Sequence, residues 1–591
     1  MLLKDAGLSS QHSRSPGCTG AACLANCRSA APTAHLCDRR RRCPSLQTEA
    51  TLRSGSSGRD VSVSSAVAER QVTAPEWAVD PSFDVAELTV PDTFPPQDWP
   101  QTYHSDFEKD DVELNSILDR IDQDSPLLHT VWLIQRDGKQ VSVIKREKAL
   151  DVGLRTLRKA GVEGVMVDVW WGIVEEAGPT KYDFSAYRRL FQKVAEHGLK
   201  IQAVMSFHAA GGNVGDTCKI PLPPWVLHVG EGNPDIYYTD RSRRRNREYI
   251  SLGCDTLPLF WGRSPVQIYQ AFISAFLDTF SDMLGTVVTE ITVGMGPAGE
   301  LRYPSYPEGD GRWRFPGVGE FQCYDKYMLA ELRKAADAAG QPEWGLEGPH
   351  DAGTYNSYTW ETGFFRKHGG NWQSDYGRFF LDWYSGMLLQ HAQRVLSAAS
   401  LVASRPGRPR QLVSVKQHQT GDVEYSFEPA CPLGIKLAGV HWWFKSRSHA
   451  AELTAGYYNT CDRNWYADVM GMLASHNARA SFTCVEMRDC EHPPEARCSP
   501  QGLLEQVVNA AAAANVPLAG ENALQRYDRY AFDRIAESAF GQNARAGHLQ
   551  QLTFLRMGDL MFDNWDAFSQ FLNRLRTPEE LPPWALDHGH F

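Results

Sequence analysis

The 591-residue chain lacks any apolar run that approaches the roughly 20 residues of a membrane-spanning helix. It also lacks an excess of basic residues, because 60 Lys and Arg stand against 71 Asp and Glu, which gives a net charge of −11. An acidic protein is poorly suited to bind a phosphate backbone. We therefore expect a soluble protein whose partners are neither membranes nor nucleic acids.

The cysteines lack the spacing of a metal site. Five of the 13 lie in the first 43 residues, and the other eight contain no C-x-x-C pair. His418, His441 and His449 are close in sequence but do not have the spacing of a metal motif either. Cys490 and Cys498 could form a bridge, although a reducing compartment would disfavour it. We expect reduced thiols, no metal and no cofactor.

The N-terminal part of the chain has a composition of its own. Residues 1–70 have no apolar signal region, and the first 60 contain nine Lys or Arg against four Asp or Glu. This Arg- and Ser-rich, acid-poor composition is typical of an organelle transit peptide. The basic run at residues 38–43 could instead be a nuclear localisation signal or a solvated disordered stretch. Residues 71–125 read as a linker or docking arm, and residues 126–591 as the folded domain.

From residue 126 onward, short apolar runs alternate with amphipathic segments. This alternation favours parallel strands joined by helices, and eight such units predict a (β/α)₈ TIM barrel. An open doubly wound sheet is the competing interpretation. Long loops after the third, fourth and fifth strands would lie at the C-terminal face, where a barrel builds its site. The strands are predicted at residues 129–135, 164–171, 200–207, 289–295, 434–443, 479–487, 516–522 and 551–557.

Polar residues recur where these strands end. Glu300 lies in a Gly- and Pro-rich loop after the fourth strand, and Glu521 ends the seventh. Two carboxylates on separate strands suit glycoside hydrolysis, in which one donates a proton and the other activates water or attacks carbon. The chain has 17 Trp, which could stack on sugar rings. Either glutamate, taken alone, could equally be an ordinary loop carboxylate.

Several motifs together resemble the β-amylases, the exo-acting glucan hydrolases of glycoside hydrolase family 14, in their plant form. The resemblance covers residues 128–575 and depends on these motifs: GVMVDVWWG (164–172), GGNVGD (211–216), GPAGELRYPSYP (296–307), FTCVEMRD (482–489) and GENALQRYD (520–528), with GEFQCYDKY (319–327) and HAAELTAGYYN (449–459). It implies hydrolysis of starch with inversion, release of β-maltose from non-reducing ends and a monomer. The transit-peptide composition of residues 1–70 predicts a plastid location. A cytoplasmic location, an endo-acting or retaining glucanase and a catalytically silent glucan-binding relative are the alternatives.

The resemblance also implies roles for single residues. Glu300 would be the general acid and Glu521 the general base. The implied substrate-binding residues are Asp168, His208, Asp216, Lys436, His441, Thr483, Asn522, Ala523 and Arg556. Three departures from the family pattern stand out: Ala209-Ala210 after His208, the first strand, and an insertion at residues 411–433.

Overall fold

A computed structural model describes residues 131–136, 139–212, 218–417, 423–540 and 549–576. The predicted transit peptide and linker, residues 1–125, lie outside these described residues. The strands are β1 (Val131–Arg136), β2 (Lys139–Ile144), β3 (Gly164–Trp170), β4 (Lys200–Ser206), β5 (Tyr237–Thr239), β6 (Arg245–Ile250), β7 (Val288–Val293), β8 (Arg410–Gln417), β9 (Val423–Pro429), β10 (Leu433–Leu437), β11 (Arg479–Phe482), β12 (Leu518–Glu521) and β13 (Gln551–Thr553).

Helices separate most of the strands. They are α1 (Glu147–Lys159), α2 (Trp171–Val174), α3 (Ser185–Glu196), α4 (Pro224–Gly232), α5 (Pro265–Thr279), α6 (Lys326–Ala338), α7 (Asp375–Ala403), α8 (Ala450–Thr454), α9 (Trp465–Ser475), α10 (Pro500–Ala513), α11 (Arg529–Phe540), α12 (Asp559–Asp563) and α13 (Trp565–Arg576). No helix in the described part of the chain is both long and apolar enough to span a bilayer.

Seven strands form one parallel sheet. Its order is β3-β4-β7-β10-β11-β12-β13, and every neighbouring pair is parallel. The strands therefore lie side by side in chain order, with no reversal of the kind that defines a doubly wound sheet. This arrangement confirms the predicted α/β barrel class, and all seven strands coincide with predicted ones.

The prediction that residues 129–135 form a strand of the barrel is wrong. Residues Val131–Arg136 pair antiparallel with Lys139–Ile144 in a separate hairpin, with Arg136 opposite Lys139. The sequence between them is Asp137-Gly138, a pair that favours a two-residue hairpin turn. Within the described residues, β3 and β13 are thus the two edges of the parallel sheet.

A cavity of about 630 Å³ lies between these two edges. Asp168 on β3 and Arg556 beyond β13 are both in its wall. The predicted insertion at 411–433 is the antiparallel hairpin β8–β9, which exposes five apolar side chains to solvent. These are Leu412, Val413, Val415, Tyr425 and Phe427.

The core forms because each parallel strand and its helices are apolar on the faces that meet. Six of the seven residues of β4 are buried, as expected for a strand covered on both sides. Helix α3 buries Leu190, Phe191 and Val194 along one face. The ring of Phe191 lies 4.7 Å from that of Phe280, in a cluster of aromatic rings beside the sheet.

Replacement of Leu190 by Ala tests this packing. Leu190 is fully buried, so the variant should lose about 2–5 kcal/mol of unfolding free energy through lost contacts and a residual cavity. Val152→Ala on α1 is the matched control, because Val152 is 53% exposed and should change stability by less than about 0.5 kcal/mol. Urea unfolding followed by circular dichroism gives both values, and equal losses in the two variants would contradict the assigned packing.

Candidate active site

The backbone conformation of the loop that carries Glu300 requires glycine at two positions. It follows β7, and a Cβ atom at Gly296 would lie 2.6 Å from the carbonyl oxygen of Glu300 and 2.8 Å from that of Arg302. Gly299 has a φ of +73°, a backbone conformation that L side chains rarely adopt. The Gly/Pro run therefore allows the backbone to reverse direction and to place Glu300 in a buried position.

Two side chains from other elements, half-buried Glu248 and buried His391, fasten this loop. Glu248 on β6 accepts a hydrogen bond from the backbone N–H of Ala298 at 2.8 Å. Nε2 of His391 on α7 lies 3.1 Å from the carbonyl oxygen of Met295, while its Nδ1 lies 2.9 Å from both carboxylate oxygens of Asp255. The sequence contains no signal that connects Glu248 or His391 with Glu300, because both act through the backbone of a distant segment.

The glycines at 294, 296 and 299 have the spacing of a dinucleotide-binding loop. That motif works by opening a helix whose N-terminus binds phosphate. Here the chain continues as a three-residue 3₁₀ turn, Pro297–Gly299, and then as extended backbone at Glu300. The loop therefore presents a carboxylate where a nucleotide-binding loop would present a helix.

The carboxylate of Glu300 is oriented by a cation. Nε of Arg302 donates to Oε2 of Glu300 at 2.7 Å, and both side chains are almost fully buried. The guanidinium of Arg302 also lies 4.3 Å from the centre of the Tyr306 ring. Arg302 thus fixes the rotation of the Glu300 carboxyl group.

Glu521 ends β12 and is fully buried. Nζ of Lys436 on β10 lies 2.5 Å from Oε1 of Glu521. Burial raises the pKa of Glu521, the cation of Lys436 opposes this, and the charge of Glu300 raises the pKa further. The cation beside it therefore favours the ionised form of Glu521.

Lys436 connects both glutamates. Its carbonyl oxygen accepts a hydrogen bond from the N–H of Leu301 at 2.8 Å, and its backbone forms a bridge with Glu300. Its ammonium group is paired with Glu521. Side chains from the predicted fourth, fifth and seventh strands therefore meet at the C-terminal edge of the sheet.

Asp168, His208 and Lys436 surround one small cavity. Its volume is about 20 Å³, enough for roughly one water molecule. Ser206 donates a hydrogen bond to Asp168 at 2.7 Å, and the ring of His208 packs edge-on against Trp170 at 5.0 Å. The structure thus brings these three predicted substrate-binding residues together.

Thr483 and Asn522 are engaged with backbone groups. Oγ1 of Thr483 accepts from the N–H of Gly439 at 2.8 Å. The amide of Asn522 donates to the carbonyl oxygens of Leu524 and Leu555, and its oxygen accepts from the N–H of Leu555 at 2.6 Å. Asn522 therefore fastens the end of β12 to the segment after β13.

Arg556, Ala523 and Asp216 are three further predicted substrate-binding residues. Arg556 is buried, three residues beyond the end of β13, and lines the 630 Å³ cavity together with Asp168. Ala523 directly follows Asn522. Asp216 lies outside the described residues.

Glu486 positions the loop that begins at Glu521. Its two carboxylate oxygens accept hydrogen bonds from the N–H groups of Ala523 at 2.9 Å and Leu524 at 2.6 Å. Burial raises the pKa of Glu486 to about 7. The motif at 482–489 contains Glu486, but the spacing of its residues does not indicate that this side chain binds backbone N–H groups in the loop after β12.

An aromatic wall adjoins the site on the side of His441. The ring of Trp442 lies 5.0 Å from that of Tyr306 and 5.4 Å from that of Trp313. Phe315 lies 6.5 Å from the ring of His441. Burial lowers the pKa of His441 well below its usual value, with a smaller effect in the same direction from His492. The result is a neutral imidazole packed beside a cluster of buried aromatic rings.

Glycoside hydrolases are the class of enzyme for which a pair of buried glutamates on separate strands is typical. A family model described as Glycosyl hydrolase family 14 matches residues 136–406 and 415–579. The chain belongs to this family. The match begins at the last residue of β1, and its break falls at the start of the β8–β9 hairpin.

The chain is similar to plant and bacterial members of the family. "Beta-amylase 2, chloroplastic" of Oryza sativa subsp. japonica is 50% identical over 444 residues, which cover 75% of each chain. "Beta-amylase 1, chloroplastic" of Arabidopsis thaliana is 50% identical over 441 residues, or 73% of each chain. The solved catalytic domain of beta-amylase from Paenibacillus polymyxa is 28% identical, with a TM-score of 0.58 over 75% of this chain and 97% of that domain.

Replacement of Glu486 by Gln tests its positioning role. The amide can accept only one of the two N–H bonds and turns its NH₂ group toward the other donor, which costs about 1–3 kcal/mol and displaces the loop after Glu521. We expect a fall in kcat of about tenfold or more with a small change in KM. Glu505→Gln, an exposed residue on α10, is the control. Full kcat in Glu486→Gln would show that the loop does not depend on this carboxylate.

Proposed function

We propose that this protein hydrolyses α-1,4-glucosidic bonds of starch and related glucans from their non-reducing ends and releases β-maltose. The observation that carries the proposal is the pairing of buried Glu521 with Lys436, within reach of the charge of Glu300, in a chain of family 14. The relatives reported above are named as beta-amylases, which agrees with this activity.

Glu521 is the general base in this proposal. A base that activates water must be ionised, and burial alone would keep a carboxyl group protonated. The ammonium of Lys436 at 2.5 Å favours the ionised form and so supports this role. A water molecule that gives its proton to Glu521 then attacks the anomeric carbon.

Glu300 is the general acid. It donates its proton to the glycosidic oxygen as the bond breaks, and Arg302 then stabilises the carboxylate that is left. An inverting enzyme needs the acid and the base about 6.5–9.5 Å apart, so that water fits between the base and the sugar. The two glutamates come from β12 and from the loop after β7, which are separated in the sheet by β10 and β11. This separation supports a gap of that kind.

Asp168, His208 and Asp216 bind the sugar units at the chain end in the proposed enzyme, and Lys436 and His441 contact the sugars on the product-leaving side. Thr483, Asn522, Ala523 and Arg556 complete the pocket, with Asn522 acting through the backbone that it holds. Both glutamates that the catalytically silent alternative would lack are present. We place the protein in the plastid, since the Oryza and Arabidopsis relatives are chloroplastic, and we propose residues 1–70 as its transit peptide.

Glu300→Gln and Glu521→Gln test the two roles directly. Each variant removes a proton donor or acceptor worth about 10²–10⁴-fold in rate, so maltose release from soluble starch should fall by that factor. Glu495→Gln, an exposed residue, is the control and should retain full activity. A rate within tenfold of the parent in either variant would remove that glutamate from its role.

Replacement of Lys436 by Met tests the tuning of the base. The cation lowers the pKa of Glu521, so its loss should raise that pKa further. Because Glu521 must be ionised to act as a base, the acidic limb of the pH profile of kcat/KM should move to higher pH. Lys334→Met is the control, since Lys334 is 78% exposed on α6. An acidic limb that stays in place or moves to lower pH would contradict the assignment of Glu521.

A further inference from the structure

A cluster of metal-binding side chains lies beside the aromatic wall. One ring nitrogen each of His441 and His492 and the Sγ of Cys498 lie within 4.8 Å of one another. The two imidazole rings are 4.5 Å apart between their centres. In a tetrahedral zinc site the bond lengths, about 2.0–2.1 Å to nitrogen and 2.3 Å to sulfur, place neighbouring ligand atoms about 3.4–3.6 Å apart. Side-chain rotations that bring the three ligand atoms about 1 Å closer together would therefore give the ligand spacing of a tetrahedral zinc site.

Two of these side chains present buried atoms that no hydrogen bond satisfies. Nδ1 of His441 and Nε2 of His492 have no hydrogen-bond partner in the described parts of the chain. His441 is 1% exposed and Cys498 is 4% exposed. A buried polar atom without a partner destabilises the fold, so a cluster of this kind favours a bound ligand.

The backbone around the cluster is held together independently of any ligand. The N–H of Ser499 donates to the carbonyl oxygen of His441 at 3.0 Å, and the N–H of Trp443 donates to that of Ala496 at 2.8 Å. The segment that contains His492 and Cys498 is thus fastened to the segment that contains His441. Phe315 covers the pair of rings, 6.3 Å from that of His492. Such a rigid, partly covered site is suited to metal binding.

We propose that His441, His492 and Cys498 bind a divalent transition metal ion, with Zn²⁺ as the best fit, and that the bound ion inhibits the enzyme. Two imidazoles and a thiolate select zinc over magnesium or calcium, which prefer oxygen. The fourth ligand is water, reached past the half-buried His492. Coordination releases the thiol proton of Cys498 to solvent. The metal takes His441 away from the glucan, and this inhibitory part rests on the proposed function.

Cobalt binding to the full chain tests the site without any substrate. Reduced protein titrated with Co²⁺ should develop thiolate-to-cobalt charge-transfer absorption that saturates at one ion per chain and disappears when Zn²⁺ is added. Cys498→Ser should lose the charge-transfer band, and His492→Gln should bind Co²⁺ about tenfold or more weakly. Cys490→Ser, an exposed free thiol nearby, is the control and should bind as the parent does.

Either of two results would overturn the site: no charge-transfer band in the parent, or a band lost in Cys490→Ser and kept in Cys498→Ser. Circular dichroism checks that each variant folds, and Cys498→Ala replaces Cys498→Ser if the latter does not. Because these measurements need no turnover, they stand apart from the proposed hydrolysis.

Inhibition is then measured on soluble starch. Zn²⁺ should reduce maltose release by the parent at least fivefold, and a chelator should restore it. His492→Gln and Cys498→Ser should keep parental activity without metal and remain active at the same Zn²⁺ concentration. Equal inhibition of the parent and both variants, or Zn²⁺ binding without inhibition, would contradict the inhibitory role.

Discussion

The relative position of the two glutamates depends on one buried residue, Lys436. A buried carboxylate such as Glu521 costs several kcal/mol unless a charge partner accompanies it, and Lys436 supplies that partner at 2.5 Å. The same residue binds the Glu300 loop through its backbone. Because one residue supports both glutamates, their relative position is set by the rigid strand β10 and not by flexible loops.

Around this centre, further side chains hold the backbone that carries the two glutamates. Glu248 and His391 fasten the loop before Glu300, and Glu486 and Asn522 fasten the one after Glu521. Each of these side chains forms a hydrogen bond with a main-chain group. It therefore affects the reacting atoms only by fixing the position of the backbone. Pre-organisation of this kind keeps two carboxylates in a fixed relation.

Most of the barrel could be predicted from the sequence, because parallel strands buried on both faces appear as apolar runs between amphipathic helices. Seven strands were predictable for this reason. The hairpin β1–β2 was not, since an apolar run alone does not tell which neighbour a strand will pair with. Glu300 and Glu521 lie in motifs at strand ends and Lys436 lies in the fifth predicted strand, so all three could be singled out. Glu248 and His391 could not, because their partners are backbone groups 50 and 96 residues away in sequence.

The anomeric form of the first product tests the central claim most directly. Two glutamates with room for water between them invert the configuration at the anomeric carbon, whereas two in close contact would retain it. Proton NMR of soluble starch in the first minutes of digestion reports both product size and anomer. With inversion, maltose should appear as the β-anomer and equilibrate only later by mutarotation. Maltose that appears first as the α-anomer, or longer oligosaccharides in its place, would contradict it.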